Sequence, residues 1–239
     1  MSPSRGPAAV ILLPERLVTV RYLFTRPFET YPGHAQQTTL GCATPERIFL
    51  GLMEEIVGRI ADLLEGAGKA LDRVTRGIFS GKAEKIDAEA LQEALETAGR
   101  QSEMVANCRL SLLTLERALG FFDMTHGQGT EAAPLRTTVK GLLRDIQSLE
   151  VHGDYLSGRV TQVIDTTLGM INLAQNNTVK ILSVVSALFL PPTLIASAYG
   201  MNFRVMPELD QAWGYPMAIA MMVGSSVLCW AIFKWKGWM

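Results

Sequence analysis

The chain has 239 residues, 48% of them hydrophobic, and a formal net charge of −1 at pH 7. This balance excludes the broad basic field typical of nucleic-acid-binding proteins. The cysteines Cys42, Cys108 and Cys229 lie far apart, as do the three histidines, which argues against a disulfide framework or a zinc site. Nucleophile elbows and phosphate-binding glycine loops are absent from the sequence. We therefore predict no enzyme, no resident cofactor and no nucleic-acid partner.

The N-terminal region predicts a β-hairpin followed by a loop. Ala8 to Leu13 and Leu17 to Phe24 are mostly apolar and partly β-branched, and a short polar turn separates them. An isolated hairpin is marginal in water, so this one needs a packing partner. Thr25 to Gly41 is interrupted by prolines and glycines and predicts a loop. Met1 to Ala9 does not have the pattern of a secretory signal, so we expect the bulk of the chain in the cytoplasm.

Three long helices are predicted next. Thr44-Pro45-Glu46 has the pattern of a helix start, and apolar residues at helical spacing continue to about Phe79. A second helix is predicted from Ala88 to about Met124. The third begins near Ala132 and meets no obvious stop before Tyr199.

The third helix carries a heptad pattern, which predicts a packed helix–helix interface. An ordinary antiparallel core explains this pattern equally well. The pattern continues without a breaker into an apolar run, which favours a stalk of roughly 65 residues, or about 100 Å. Its two apolar rows are Leu135, Leu142, Leu149, Leu156, Val163 and Met170, and Val139, Ile146, Val160 and Ala174.

Two uncharged apolar runs, Ile181 to Tyr199 and Ala212 to Phe233, are each long enough to cross a bilayer as helices. The second has tryptophan and tyrosine at its ends, which is typical of a lipid-facing helix. Lysines flank the pair, at Lys180 before the first run and at Lys234 and Lys236 after the second. The positive-inside rule therefore predicts both termini in the cytoplasm and the connecting loop outside.

Polar side chains form a stripe along the first span. Ser186, Leu190, Thr193 and Ser197 follow one another at spacings of three and four, on one helical face. They could line a narrow aqueous path, or the hydroxyls could bond back to carbonyls of their own helix. Pro191-Pro192 removes two backbone donors, so neighbouring subunits or pore water would have to cover the released carbonyls.

A single chain with two spans cannot enclose an ion path, so a pore requires a closed ring of subunits. The ring would present copies of Gly200-Met201-Asn202 at its outer mouth. Neutral oxygens of Asn202 suit a cation that keeps its hydration waters, as Mg²⁺ does. Glu208 and Asp210 in the loop would raise the local cation concentration, or they are simply solvated loop charges.

The segment Tyr199-Gly200-Met201-Asn202-Phe203, followed by Met206 to Leu209 and Gly214 to Pro216, resembles the CorA magnesium and cobalt transporters. The runs Ile181 to Ser186 and Phe189 to Leu194 are similar to the enterobacterial branch. The resemblance implies a funnel-shaped homopentamer in the bacterial inner membrane. It also implies channel-like influx of Mg²⁺, with Co²⁺ and Ni²⁺ also carried, driven by the membrane potential.

The implied fold class is a mainly α membrane protein with long stalk helices, two C-terminal transmembrane helices and a remnant β-hairpin. Residues 1–43 would be the remnant of a cytoplasmic α/β domain, and residues 44–178 a cytoplasmic stalk. Residues 179–239 would form the transmembrane domain, with spans at about 179–199 and 212–233 and a loop at 200–211. Because part of the α/β domain precedes this point in the family, the resemblance assigns no intact sensor site for intracellular Mg²⁺.

The resemblance also implies roles for individual residues. The selectivity filter falls on Gly200, Met201 and Asn202, with Asn202 holding the ion through its hydration waters. Asn176 fits a polar ring at the cytoplasmic end of the pore, and the apolar side chains fit a gate that closes by dewetting. The implied pore-lining residues are Asn176, Val179, Leu182, Ser186, Leu190, Thr193 and, from the polar stripe, Ser197.

Two alternatives stay open. The first is zinc transport within the same superfamily, whose members usually depart from the Gly-Met-Asn motif that this chain keeps. The second is a membrane-anchored helical scaffold that conducts nothing. The scaffold accounts for the heptads and the two spans but leaves the polar stripe and Asn202 unexplained.

Overall fold

A computed structural model describes residues 6, 8–80, 88–126, 132–202, 207, 211 and 213–237. The described part is mainly helical with one small sheet, which confirms the predicted fold class. It divides into two compact units, Met1–Thr167 and Leu168–Met239, called here the N-terminal and C-terminal units. The elements are β1 (Ala8–Leu13), β2 (Arg16–Arg21), α1 (Arg26–His34), a 3₁₀ turn (Ala35–Gln37), α2 (Pro45–Ser80), α3 (Ala88–His126), α4 (Ala132–Tyr199) and α5 (Gly214–Trp235).

The predicted hairpin is present, with β1 antiparallel to β2 and Ile11 opposite Val18. Its second strand ends at Arg21, three residues before the predicted end at Phe24. One face, which includes Val10 and Leu12, packs against the core of the N-terminal unit. This contact provides the packing partner that an isolated hairpin lacks in water.

The predicted loop at Thr25 to Gly41 is wrong, because Arg26–His34 forms α1 and a 3₁₀ turn follows it. Pro27 lies at the start of α1, where a missing N–H costs nothing. Pro32 lies inside the helix and removes one backbone bond. Tertiary contacts compensate, since Tyr31 is buried and Thr30 donates to the Glu55 carboxylate at 2.6 Å.

The core of the N-terminal unit lies between α2, α3 and the first half of α4. The predicted cap is present, with the Thr44 hydroxyl accepting from the Arg47 N–H at 3.4 Å. The heptad side chains of α4 up to Val163 join the same buried cluster as Leu64 of α2 and Leu112 of α3. This packing within one chain accounts for the heptad pattern up to Val163, as an antiparallel core does. The predicted stalk helix is also present, because α4 continues without interruption for 68 residues. The most deeply buried members of the cluster on α4 are Val139, Leu142, Ile146, Leu156, Val160 and Val163.

Ion pairs on the rim of this core fix the helices against each other. Arg159 of α4 contacts Asp72 of α2 at 2.7 Å, and Arg109 of α3 contacts Asp154 of α4 at 2.8 Å. Three of these four side chains are exposed and Arg159 is 27% exposed, so the stabilisation from the two pairs is small, and the buried apolar cluster provides most of the stability.

The C-terminal unit contains the end of α4 and the whole of α5. Each of these helices has a segment long and apolar enough to cross a membrane. The predicted first span ends at Tyr199, as α4 does. The predicted second span began at Ala212, which is outside the described residues, and α5 runs from Gly214 to Trp235.

Candidate functional site

The residues expected to line a pore share one exposed face of α4. They follow one another at intervals of three or four, from Asn176 to Ser197, so they lie along one side of the helix. At 1.5 Å per residue this face is about 31 Å long, close to the thickness of a bilayer core. All seven are exposed in the single chain, namely Asn176, Val179, Leu182, Ser186, Leu190, Thr193 and Ser197. We call them the predicted pore face.

The opposite side of α4 packs on α5. Val184 is only 7% exposed, and Leu188, Ile195 and Tyr199 are partly covered. At 100° per residue, these positions lie on the other side of α4 from the predicted pore face. The contact with α5 includes the Ser226 hydroxyl, which lies 3.4 Å from the Leu188 carbonyl oxygen. One chain therefore covers the back of α4 and leaves the predicted pore face open.

The Thr193 hydroxyl bonds back to its own helix, donating to the Phe189 carbonyl at 2.6 Å. Ser183, which lies beside these residues on the same side of α4, donates to the Val179 carbonyl at 2.8 Å. Thr193 therefore bonds to a carbonyl of its own helix, which is what the alternative to a water-lined stripe predicted. It does not exclude contact with water, because a hydroxyl that donates one bond still has two acceptor lone pairs.

Gly200 ends α4 at the predicted filter. Its N–H donates to the Ala196 carbonyl at 2.9 Å, and a Cβ added here would lie 3.1 Å from the same oxygen. The glycine therefore allows a close turn directly after the helix. Met201 and Asn202 follow it, and both side chains are exposed. Glu208 and Asp210, predicted to attract cations, lie outside the described residues.

The N-terminal unit contains a cleft of about 530 Å³ between α1 and α2, which the sequence did not predict. Tyr31 borders it with a buried hydroxyl that has no hydrogen-bond partner among the described residues. Burial raises the pKa of Tyr31, and the charges of Cys42 and Glu54 add to the effect. Nothing in the spacing of these residues could have indicated the cleft, since it depends on the packing of α1.

Two polar side chains of the cleft are already paired with Glu55. Glu55 accepts a bond from Thr30, and its other oxygen lies 3.4 Å from His34 Nε2. Across the described ranges, no group of three histidine, cysteine, aspartate or glutamate side chains is placed to hold a metal ion.

Comparisons with known proteins define the class of the chain. Residues 2–235 match the CorA-like Mg²⁺ transporter protein family. A magnesium transport protein CorA from Mannheimia succiniciproducens is 37% identical over 224 residues, which cover 94% of this chain and 69% of the relative. The corresponding protein of Haemophilus influenzae strain Rd is also 37% identical, over 225 residues and with the same coverage.

Solved structures show the same fold. The CorA magnesium transporter from Methanocaldococcus jannaschii superposes with a TM-score of 0.64 at 17% identity, covering 98% of this chain and 80% of that one. The full-length CmaX protein superposes with a TM-score of 0.64 at 15% identity, covering 96% of this chain and 67% of that one.

The fold and the sequence match define a membrane protein of a transporter family, and the chain belongs to the CorA family. The predicted resemblance is thus confirmed. A transporter family is consistent with the prediction that the chain is not an enzyme.

Proposed function

We propose that this chain is one subunit of a ring-shaped channel that carries Mg²⁺ across the bacterial inner membrane. The observation that carries the proposal is the predicted pore face, which is left open by α5 and followed directly by Gly200-Met201-Asn202. Family membership supports it, because the curated relatives are magnesium transport proteins. Co²⁺ and Ni²⁺ are proposed as further ions of the same path.

Assembly follows from the shape of one predicted pore face. A single α4 presents this face on one side only, so several copies around an axis are needed to enclose a path. We propose five copies, in line with the family resemblance. The apolar side chains left open on α4, among them Leu182 at 65% exposure and Leu190 at 67%, would then meet across the axis.

Selectivity would reside at the end of α4. Repeated around the axis, the Asn202 side chains offer neutral carbonyl oxygens. Mg²⁺ loses its hydration waters reluctantly, so these oxygens would contact the ion through those waters. A neutral ring also lets the ion leave, whereas a ring of carboxylates would hold a divalent cation more tightly.

Gating would reside below the filter. Val179, Leu182 and Leu190 would form apolar rings that exclude water when narrow, and Asn176 would form a polar ring at the cytoplasmic end. With both termini in the cytoplasm, the membrane potential would drive inward flow. A divalent ion gains about 4.6 kcal/mol for each 100 mV that it crosses.

Uptake of Mg²⁺ into liposomes under an inside-negative potential tests the proposal. Asn202→Ala is expected to abolish uptake while the mass of the assembled complex in detergent stays unchanged. Asn177→Ala is the matched control, because Asn177 is an exposed asparagine on α4 outside the predicted pore face. Full uptake by Asn202→Ala would overturn the filter assignment. Uptake of Zn²⁺ without Mg²⁺ would favour the zinc branch, and no uptake of any ion would favour the scaffold.

A further inference from the structure

Two consecutive prolines release backbone carbonyls in the first span. In an α-helix each N–H donates to the carbonyl four residues earlier, and proline has no N–H. Pro191 and Pro192 therefore leave the carbonyls of Ala187 and Leu188 without intrahelical donors. Both carbonyls lie in a segment apolar enough to cross a membrane, where an unpaired carbonyl is costly.

Helix α5 provides a hydrogen-bond donor to one of these two carbonyls. The Ser226 hydroxyl of α5 lies 3.4 Å from the Leu188 carbonyl oxygen, at a partly buried position. The adjacent Ser225 behaves differently, because its hydroxyl donates to Met222 of its own helix at 2.8 Å. Ser225 therefore bonds within α5, whereas Ser226 contacts the Leu188 carbonyl, which has no N–H partner because residue 192 is proline.

We propose that Ser226 is a positioning residue that fixes α5 against the proline pair of α4. Leu190 and Thr193 of the predicted pore face follow Leu188 within five residues, and Gly200 lies three turns beyond it. A bond at Leu188 therefore holds the helix at the point where the prolines weaken it, and it orients the segment that leads to the filter. The consequence for conduction rests on the proposed function, whereas the hydrogen bond itself does not.

A double-mutant cycle tests the pairing through ion uptake. Ser226→Ala is expected to lower Mg²⁺ uptake into liposomes by about threefold, the equilibrium equivalent of an average hydrogen bond between membrane helices. Pro192→Ala gives position 192 an N–H for the Leu188 carbonyl, so adding Ser226→Ala to it should change nothing further. Pro191→Ala instead provides an N–H for the Ala187 carbonyl and leaves the Leu188 carbonyl without one. Ser226→Ala should therefore keep its full effect on uptake in the Pro191→Ala variant.

Two single variants complete the cycle. Ser226→Thr keeps the hydroxyl and should retain uptake, and Ser225→Ala should leave uptake unchanged because its bond lies within α5. The positioning role is overturned if Ser226→Ala has no more effect than Ser225→Ala, or if its effect persists undiminished beside Pro192→Ala.

The bond can also be observed without transport. The pair Leu-Phe occurs twice in the sequence, at Leu23-Phe24 and Leu188-Phe189. Labelling leucine carbonyls with ¹³C and phenylalanine amides with ¹⁵N therefore selects two signals in solid-state NMR of the full chain in bilayers. Ser226→Ala should move the Leu188 carbonyl signal upfield and leave the Leu23 signal in place, and Ser225→Ala should move neither.

An unmoved Leu188 signal in Ser226→Ala would show that the assigned bond does not exist. The predicted shift in a protein that carries no ion would instead overturn the proposed function and leave the bond standing. The two failures are therefore distinguishable.

Discussion

The two units differ in how far they bury their apolar side chains. In the N-terminal unit, Leu64, Leu112 and Ile146 are completely buried within one chain. In the C-terminal unit, Leu182 is 65% exposed and Leu194 is 70% exposed, although they are as apolar as the buried leucines. Removing apolar surface from water is the main driving force of folding, so the first pattern belongs to a unit that folds in water.

The second pattern requires another apolar surrounding. Lipid can cover the outward sides of α4 and α5, because hydrocarbon is as apolar as leucine. Lipid offers no hydrogen-bond partner to the hydroxyl and amide groups placed in the same row as the open leucines. This difference is why we propose that the predicted pore face meets other copies of the chain and borders an ion path.

The largest expected effect comes from introducing a carboxylate into each unit. Ile146→Asp would place an unpaired charge in the buried core and should cost roughly 3–5 kcal/mol of unfolding free energy. Leu182→Asp makes a similar change at an exposed site and should leave the fold intact. It should wet the apolar gate and raise leak current across the bilayer.

Thermal unfolding in detergent and current recordings in bilayers measure these two outcomes. The contrast between the two units would be contradicted if Ile146→Asp did not lower stability or if Leu182→Asp unfolded the chain. Leak at the wild-type level in Leu182→Asp would place the gate elsewhere on α4.

A smaller effect is expected where α1 meets α2. The Tyr31 ring occupies the space that a Cβ at position 51 would take, so Gly51→Ala should cost roughly 1–3 kcal/mol of unfolding free energy. Gly58→Ala is the matched control on the same helix, because its Cβ would meet nothing within 4 Å. It should stabilise the protein by roughly 0.5–1 kcal/mol. Equal effects of the two variants in denaturant unfolding would contradict the described packing of α1.

The smallest effect concerns the Tyr31 hydroxyl. Because this group is buried without a partner, Tyr31→Phe should raise the unfolding free energy at pH 7 by about 1 kcal/mol. The pKa of Tyr31 is raised in the folded protein, so the native state keeps this proton after the unfolded state has lost it. The titration of Tyr31 therefore leaves stability unchanged below about pH 10, and it lowers stability as the pH rises from there through the folded pKa.

Tyr31→Phe should remove the part of the alkaline decline that Tyr31 causes. Denaturant unfolding of the wild type and the variant measures the stability gain at pH 7 and the alkaline decline between pH 9 and 11. This pH range brackets the pKa of free tyrosine, which is about 10. A destabilised variant at pH 7 would mean that the hydroxyl has a bonding partner.

Sequence patterns predicted the long elements well because those elements depend on local periodicity. The starts of α2 and α3 and the end of α4 lie within one residue of their predicted positions. The helix α1 was missed because its prolines and glycine oppose a helix, and tertiary contacts, among them the burial of Tyr31 against α2, outweigh them. Ser226 was beyond prediction for a similar reason, since its partner Leu188 lies 38 residues away in the sequence.

The candidate site was predictable as a set of residues and not as an arrangement. Spacing alone put Ser186, Leu190, Thr193 and Ser197 on one face of a helix, and the structure places them there. Which face of α4 would be covered by α5 could not be derived from spacing. The roles of these side chains in conduction stay predictions.

Cysteine accessibility along α4 tests the central claim most directly. In full-length chains with Cys42, Cys108 and Cys229 replaced by alanine, single cysteines are placed at Leu190 or Thr193 on the predicted pore face and at Ile195 on the covered face. A membrane-impermeant, positively charged thiol reagent should modify the first two and block Mg²⁺ uptake, with bound Mg²⁺ slowing the reaction, and should leave the third unmodified. Equal reactivity of all three positions, or modification of Leu190 and Thr193 without loss of uptake, would contradict the assignment of this face to the ion path.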